Sequence, residues 1–154
     1  MSEESVSRPV VVGVDGSRES EAALQFAAEE AKMRGAPLRI VCAWEPSASG
    51  YIGEAFSPTP DAFEKAEQDA EAVLSAALEH LQDESLMIEA VAEEGGPAAV
   101  LLEQAADASL LVVGSRGLST PKRLMLGSVS HDVAQRAHCP IAIVRYRGRN
   151  ESPA

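Results

Sequence analysis

Apolar residues recur along the chain in two alternating patterns. Short continuous runs rich in Val, Ile and Leu stand at residues 10–14, 38–44, 86–92, 110–113 and 140–146. Runs of this length, bounded by Gly, Pro or polar residues, predict strands buried on both faces of a sheet. The segments between them have helical spacing instead. Leu24, Ala27, Ala28 and Ala31 fall at i, i+3, i+4 and i+7 and make one apolar face. Ser17 is placed to cap that helix and Gly35 to end it, with Pro37 just beyond. A second helix is predicted over about residues 61–82, with the stripe Ala66, Ala70, Val73, Leu74, Ala77, Leu78 and Leu81. A third opens at Gly95-Gly96-Pro97 and turns Leu101, Leu102 and Ala105 inward, and a fourth opens near Gly127-Ser128 and buries Val129, Val133 and Ala137. Strands alternating with helices predict an α/β fold. The expected form is a doubly wound five-stranded parallel sheet of order 3-2-1-4-5, with helices on both faces.

Composition adds limits. A chain of 154 residues is one domain, and with only 4% aromatics its core must be aliphatic. The 24 acids against 13 bases leave a net charge of −11, which argues against a general binder of nucleic acid or of an anionic membrane. The charge is uneven: residues 1–113 carry net −16 and residues 114–154 net +5. No apolar run approaches the ~18 residues of a membrane span. The start of the chain lacks the charged and apolar regions of a secretory signal. A cytoplasmic protein is expected, with residues 1–7 and 148–154 as disordered tails. Cys42 and Cys139 fall three strand spacings apart, about 14 Å, which is beyond disulfide reach.

In such a sheet, ligands bind beyond the carboxyl ends of the strands where strand order reverses. Those ends are Gly13-Val14-Asp15 and Gly114-Ser115-Arg116-Gly117. Glycines let the backbone approach a ligand closely, and successive N–H groups can form an anion nest. Gly127-Ser128-Val129-Ser130 opens a helix, whose free N–H groups and dipole also favour phosphate. Together the two segments could clamp a di- or triphosphate; the same glycines also serve as ordinary turn and cap residues. Neither a Walker P-loop nor a dinucleotide fingerprint is present.

Gly114-x2-Gly117-x9-Gly127-Ser128, with Val11-Val12-Gly13-Val14-Asp15-Gly16-Ser17 before it and His138-Cys139-Pro140-Ile141-Ala142-Ile143-Val144-Arg145 after it, resembles the universal stress protein family in its ATP-binding branch. The resemblance spans residues 8–147 as one nucleotide-binding domain. It implies that Asp15 binds the ribose hydroxyls, that Gly13 lies under the nucleotide, and that the backbone at Ala43 recognises adenine. It implies that Val113 lines the base pocket and that Gly114, Arg116, Gly117, Gly127, Ser128, Val129 and Ser130 contact ribose and phosphate. ATP is the implied ligand, with Mg²⁺ carried by its phosphates. A homodimer through the last strand, Ile141 to Tyr146, is implied as well, and it would cover an apolar edge. The expected role is a nucleotide-dependent regulator or sensor in a stress response. An interaction module of the same fold without nucleotide, and a slow ATPase, remain alternatives. No nucleophile–base pair is legible, so any hydrolysis is expected to be slow.

Other features add less. Residues 45–60 form a long loop in which Tyr51 and Phe56 receive no role. Lys122 and Arg123 are placed either to reach a terminal phosphate or to be solvated. His80 falls on an acidic helix face. His131 and His138, seven apart on the predicted fourth helix, have no accompanying ligand cluster, so no metal site is expected.

Overall fold

The computed structural model describes residues 7–46, 59–82, 85–117 and 126–146. The expectations for the tails at residues 1–6 and 148–154, for Tyr51 and Phe56, and for Lys122 and Arg123 lie outside the described residues. The elements run β1 (Val10–Gly13), α1 (Arg18–Arg34), β2 (Leu38–Trp44), α2 (Pro60–His80), β3 (Ile88–Glu94), α3 (Pro97–Gln104), β4 (Leu110–Gly114), α4 (Ser128–Arg136) and β5 (Ile141–Val144). The strands pair in the order β3-β2-β1-β4-β5, as expected, and every pairing is parallel.

Alternation along each strand feeds two cores. Val10 and Val12 of β1, with Leu38, Ile40 and Cys42 of β2, face α1 and α2. Val11 and Val41, with Leu111 and Val113 of β4, face α3 and α4. Val10, Val11 and Val12 have no exposed surface. Full burial of one such side chain contributes about 1.5–3 kcal/mol, so β1 anchors both layers.

Local chemistry sets the ends of the helices. The Ser17 hydroxyl accepts the N–H of Ser20 at 3.1 Å and starts α1. Gly35, at φ 60°, ends it, and the N–H of Ala36 donates to the carbonyl of Ala31 at 2.9 Å. The helical spacing of α1 is borne out, with Leu24, Ala27, Ala28 and Ala31 all buried.

Several predicted limits shift. α2 starts at Pro60 because Thr59 caps it, accepting from the N–H of Ala62 at 3.2 Å, and it ends at His80. In its stripe, Ala70, Leu74, Ala77 and Leu81 are buried, whereas Leu78 is exposed. β3 lies two residues beyond the apolar run. Its register with β2 runs from Leu38↔Ile88 to Trp44↔Glu94, so backbone pairing carries an edge strand into acidic residues. α4 ends at Arg136, leaving Ala137 half-buried as its cap and His138 outside the helix. β5 has only four residues, all half-buried.

Candidate functional site

The order reversal sets the carboxyl ends of β1 and β4 side by side. The following helices depart to opposite faces, and a cleft of about 170 Å³ opens between them. That is close to the about 150 Å³ that holds one benzene ring in a protein interior. A cleft of this volume has room for one ring, and a longer ligand must run along the rim. All eleven residues expected at the site line this cleft: Gly13, Asp15, Ala43, Val113, Gly114, Arg116, Gly117, Gly127, Ser128, Val129 and Ser130.

The walls follow from strand alternation. Val41 and Ala43 project to the α3–α4 side of β2, and Val113 does so from β4. Leu101 of α3 forms the floor with them. Gly13 makes room for it, since a Cβ there would sit 2.8 Å from Leu101 Cδ1.

The first polar rim is the turn after β1. Asp15 Oδ1 accepts the N–H of Ser17 at 2.9 Å. The N–H of Asp15 donates to Ser20 Oγ at 3.3 Å, and that hydroxyl donates to the carbonyl of Ser17 at 2.9 Å. Asp15 thus shapes its own turn and also lines the cleft. Its other carboxylate oxygen faces Gly117, where a Cβ would lie only 2.7 Å from Oδ2.

The second rim is the segment from β4 into α4. The N–H of Gly127 donates to the carbonyl of Ser115 at 2.7 Å, tying the start of α4 to the end of β4. Ser130, only 2% exposed, has its hydroxyl 2.9 Å from the carbonyl of Gly127 and 3.1 Å from that of Ser115. The Ser130 hydroxyl therefore braces the same junction from inside. Unlike α1 and α2, α4 has no side-chain cap. Its first intrahelical bond is from His131 N–H to the carbonyl of Gly127. The N–H groups of Ser128, Val129 and Ser130 precede it and have no acceptor within the helix. They form the positive end of the helix dipole beside the cleft.

Arg116 lies between the rims and pairs with Glu19 of α1, Nη2 to Oε1, at 3.1 Å. Glu19, an acid in the first turn of α1, was not expected at the site. Ser20 was not singled out, Pro97 was read only as a helix start, and Ser115 only as part of the strand end. The Ser17-x2-Ser20 spacing was the one available signal for the Ser20 brace.

Behind the cleft, the Cys42 thiol is pushed up to about 11 by burial and then by the charge of Asp15. Burial raises Cys139 as well. The two thiols belong to opposite cores and are free. Among the described residues, no group of three or more His, Cys, Asp and Glu could hold a metal ion, and no helix is long and apolar enough to cross a membrane.

Residues 7–145 match the universal stress protein family. The chain belongs to that family. It is 34% identical over 144 residues to a universal stress protein of Bacillus subtilis, covering 88% of this chain and 97% of that one. It is 31% identical over 144 residues to one from Mycobacterium tuberculosis, covering 92% of this chain and 50% of that protein. The chain thus spans about half the length of the first curated mycobacterial relatives it matches. Among solved structures, a universal stress protein in complex with cAMP is 33% identical, with a TM-score of 0.57 over 91% of this chain and 98% of that one. The universal stress protein of Archaeoglobus fulgidus in complex with dAMP is 28% identical, with a TM-score of 0.67 over 90% and 98%. The parallel sheet with helices on both sides is the fold of the universal stress proteins.

Proposed function

We propose that this universal stress protein binds an adenine nucleotide in the cleft between β1 and β4 and acts as a nucleotide-dependent regulator or sensor in a cytoplasmic stress response. ATP is the expected form, with Mg²⁺ carried on its phosphates. The observation that carries the reading is one arrangement: a ring-sized apolar slot with a carboxylate on one side and an uncapped helix N-terminus on the other. Val41, Ala43 and Val113 would enclose the base, and Asp15 would accept from the ribose hydroxyls. The N–H groups of Ser128 and Val129 and the Gly114–Gly117 backbone would meet phosphate. The relatives in complex with cAMP and dAMP support the adenine class.

Mass spectrometry of ligand released from the purified protein, followed by calorimetric titration with Mg·ATP, AMP and cAMP, tests the reading. Binding should be lost in Gly117→Val with the fold retained, since the new side chain would enter the space of the Asp15 carboxylate. No co-purified nucleotide and no binding at millimolar ATP would favour the interaction module. Turnover above about 1 s⁻¹ would make the protein an enzyme.

The same reading includes a homodimer through β5. The two edges of the sheet differ: β3 carries Glu89, Glu93 and Glu94, whereas β5 is Ile141, Ala142, Ile143 and Val144. Acids guard an edge against pairing, and an uncharged edge invites it. Light scattering should give twice the chain mass at micromolar concentration; a monomer would refute the dimer.

A further inference from the structure

Arg116 is the basic side chain of the described cleft, and its guanidinium is already engaged. Nη2 lies 3.1 Å from Glu19 Oε1, and each of the two side chains keeps only 15% of its surface. Among the described residues, the structure shows no other partner for either charge. The pair joins the turn after β4 to the first turn of α1, residues 97 apart in the chain. Gly114, two residues before Arg116, reinforces the same junction. A Cβ there would fall 2.8 Å from Glu19 Cβ and 2.9 Å from its carbonyl carbon, so α1 rests directly on the end of β4. One residue beyond Arg116, Gly117 stands against Asp15 Oδ2. The pair thus sits between the fixed junction and the wall of the cleft.

We propose that Glu19 and Arg116 are a positioning pair: the ion pair clamps the 115–117 turn to α1 and sets the wall of the cleft opposite Asp15. The inference rests on the nucleotide reading for its ligand assay. It departs from what the family resemblance implies at Arg116, whose charge serves Glu19 and not a ligand phosphate. Poorly hydrated charges of this kind depend on each other, so removing either alone leaves its partner without compensation. Exchanging the two should restore the clamp, because the attraction is symmetric in sign. A phosphate would be repelled by the same exchange.

The test uses Glu19→Arg, Arg116→Glu and the double exchange in the full chain, titrated with AMP and with adenosine. Each single variant should weaken both ligands alike, by about tenfold, the size of one charge-assisted contact. The double exchange should return both to within about threefold of the unaltered protein. Loss confined to AMP in Arg116→Glu, with no recovery in the exchange, would overturn the inference and make Arg116 a phosphate ligand. Amide hydrogen exchange at Gly117 in the ligand-free protein gives an independent reading. It should quicken in the milder Glu19→Gln variant and slow again in the exchange; unchanged rates would overturn the clamp. Failure of the unaltered protein to bind any nucleotide would sink the nucleotide reading alone, and the exchange rates would still decide the clamp.

Discussion

Replacing Gly114 by alanine puts a methyl group where α1 already stands. The new Cβ would lie 2.8 Å from Glu19 Cβ, 2.9 Å from its carbonyl carbon and 3.0 Å from its carbonyl oxygen. Two of these neighbours are backbone atoms of the first turn of α1, which is pinned by the Ser17 cap and by the Asp15–Ser17 hydrogen bond. A side chain could rotate away, but a helix turn must translate. Overpacking of this kind costs about 1–3 kcal/mol. Alanine returns about 0.4–1 kcal/mol by restricting the unfolded chain. The net loss is then about 1.5 kcal/mol, which lowers the Tm of a chain this size by about 3–6 °C. Urea unfolding should show a lower midpoint with an unchanged slope, since the native surface is nearly the same. Calorimetry on the two proteins, free of ligand, is the direct assay. A Tm equal to or above that of the unaltered protein would refute the argument that α1 packs directly on β4 through this glycine.

Three further outcomes follow from other parts of the molecule. Gly35→Ala should lose about 1–2 kcal/mol although nothing lies within 4 Å of its Cβ position, because φ of 60° strains an L-residue; no loss in urea unfolding would contradict the αL cap. The hydrogen bond and charge of Arg39 hold the Asp107 carboxyl below its ordinary value. The stability it contributes is therefore present above the unfolded Asp range, about pH 4, and is lost as pH falls through the lowered folded value. The advantage of the unaltered protein over Asp107→Asn in urea should be small, because Asp107 is 61% exposed; it should begin to fall below that range and vanish only below the lowered folded value, and an advantage that grows in acid would be inconsistent. The Cys42 thiol, raised to about 11, stays protonated at pH 8, so a disulfide reagent should label it far more slowly in the native protein than in urea. Equal rates would show that the thiol is not enclosed.

Much of the architecture was legible because burial on both faces writes continuous apolar runs. The run at Val10 to Val12 and the helical repeat from Leu24 to Ala31 each translated directly into buried elements. The start of α1 was readable because Ser17 caps it; the Thr59 cap of α2 was not read, and that helix was placed from about residue 61. The start of β3 was not readable, because its limits come from pairing with Leu38 to Trp44 and not from its own hydrophobicity. The positions of the candidate site were legible as glycines at fixed spacing. Their individual functions were not. Gly114 reads as a close approach to ligand, and in the fold it lines the cleft and is also the close approach of a helix. Ser130 is implied as a ribose and phosphate contact, and the sequence carried no sign that its hydroxyl also braces two backbone carbonyls.

The sequence by itself determined the order of strands and helices, the glycine–serine segments at the ends of β1 and β4, and the contrast between an acidic body and a more basic final quarter. These depend on periodicity and local backbone chemistry, which act within a few residues. Only the tertiary structure decided which groups meet. It joined Arg116 to Glu19 across 97 residues, set Gly117 against Asp15, and brought Val41, Leu101 and Val113 to one slot. Such contacts arise from strand pairing and layer packing between distant segments. Charge and spacing in one segment cannot report which distant partner the fold will supply.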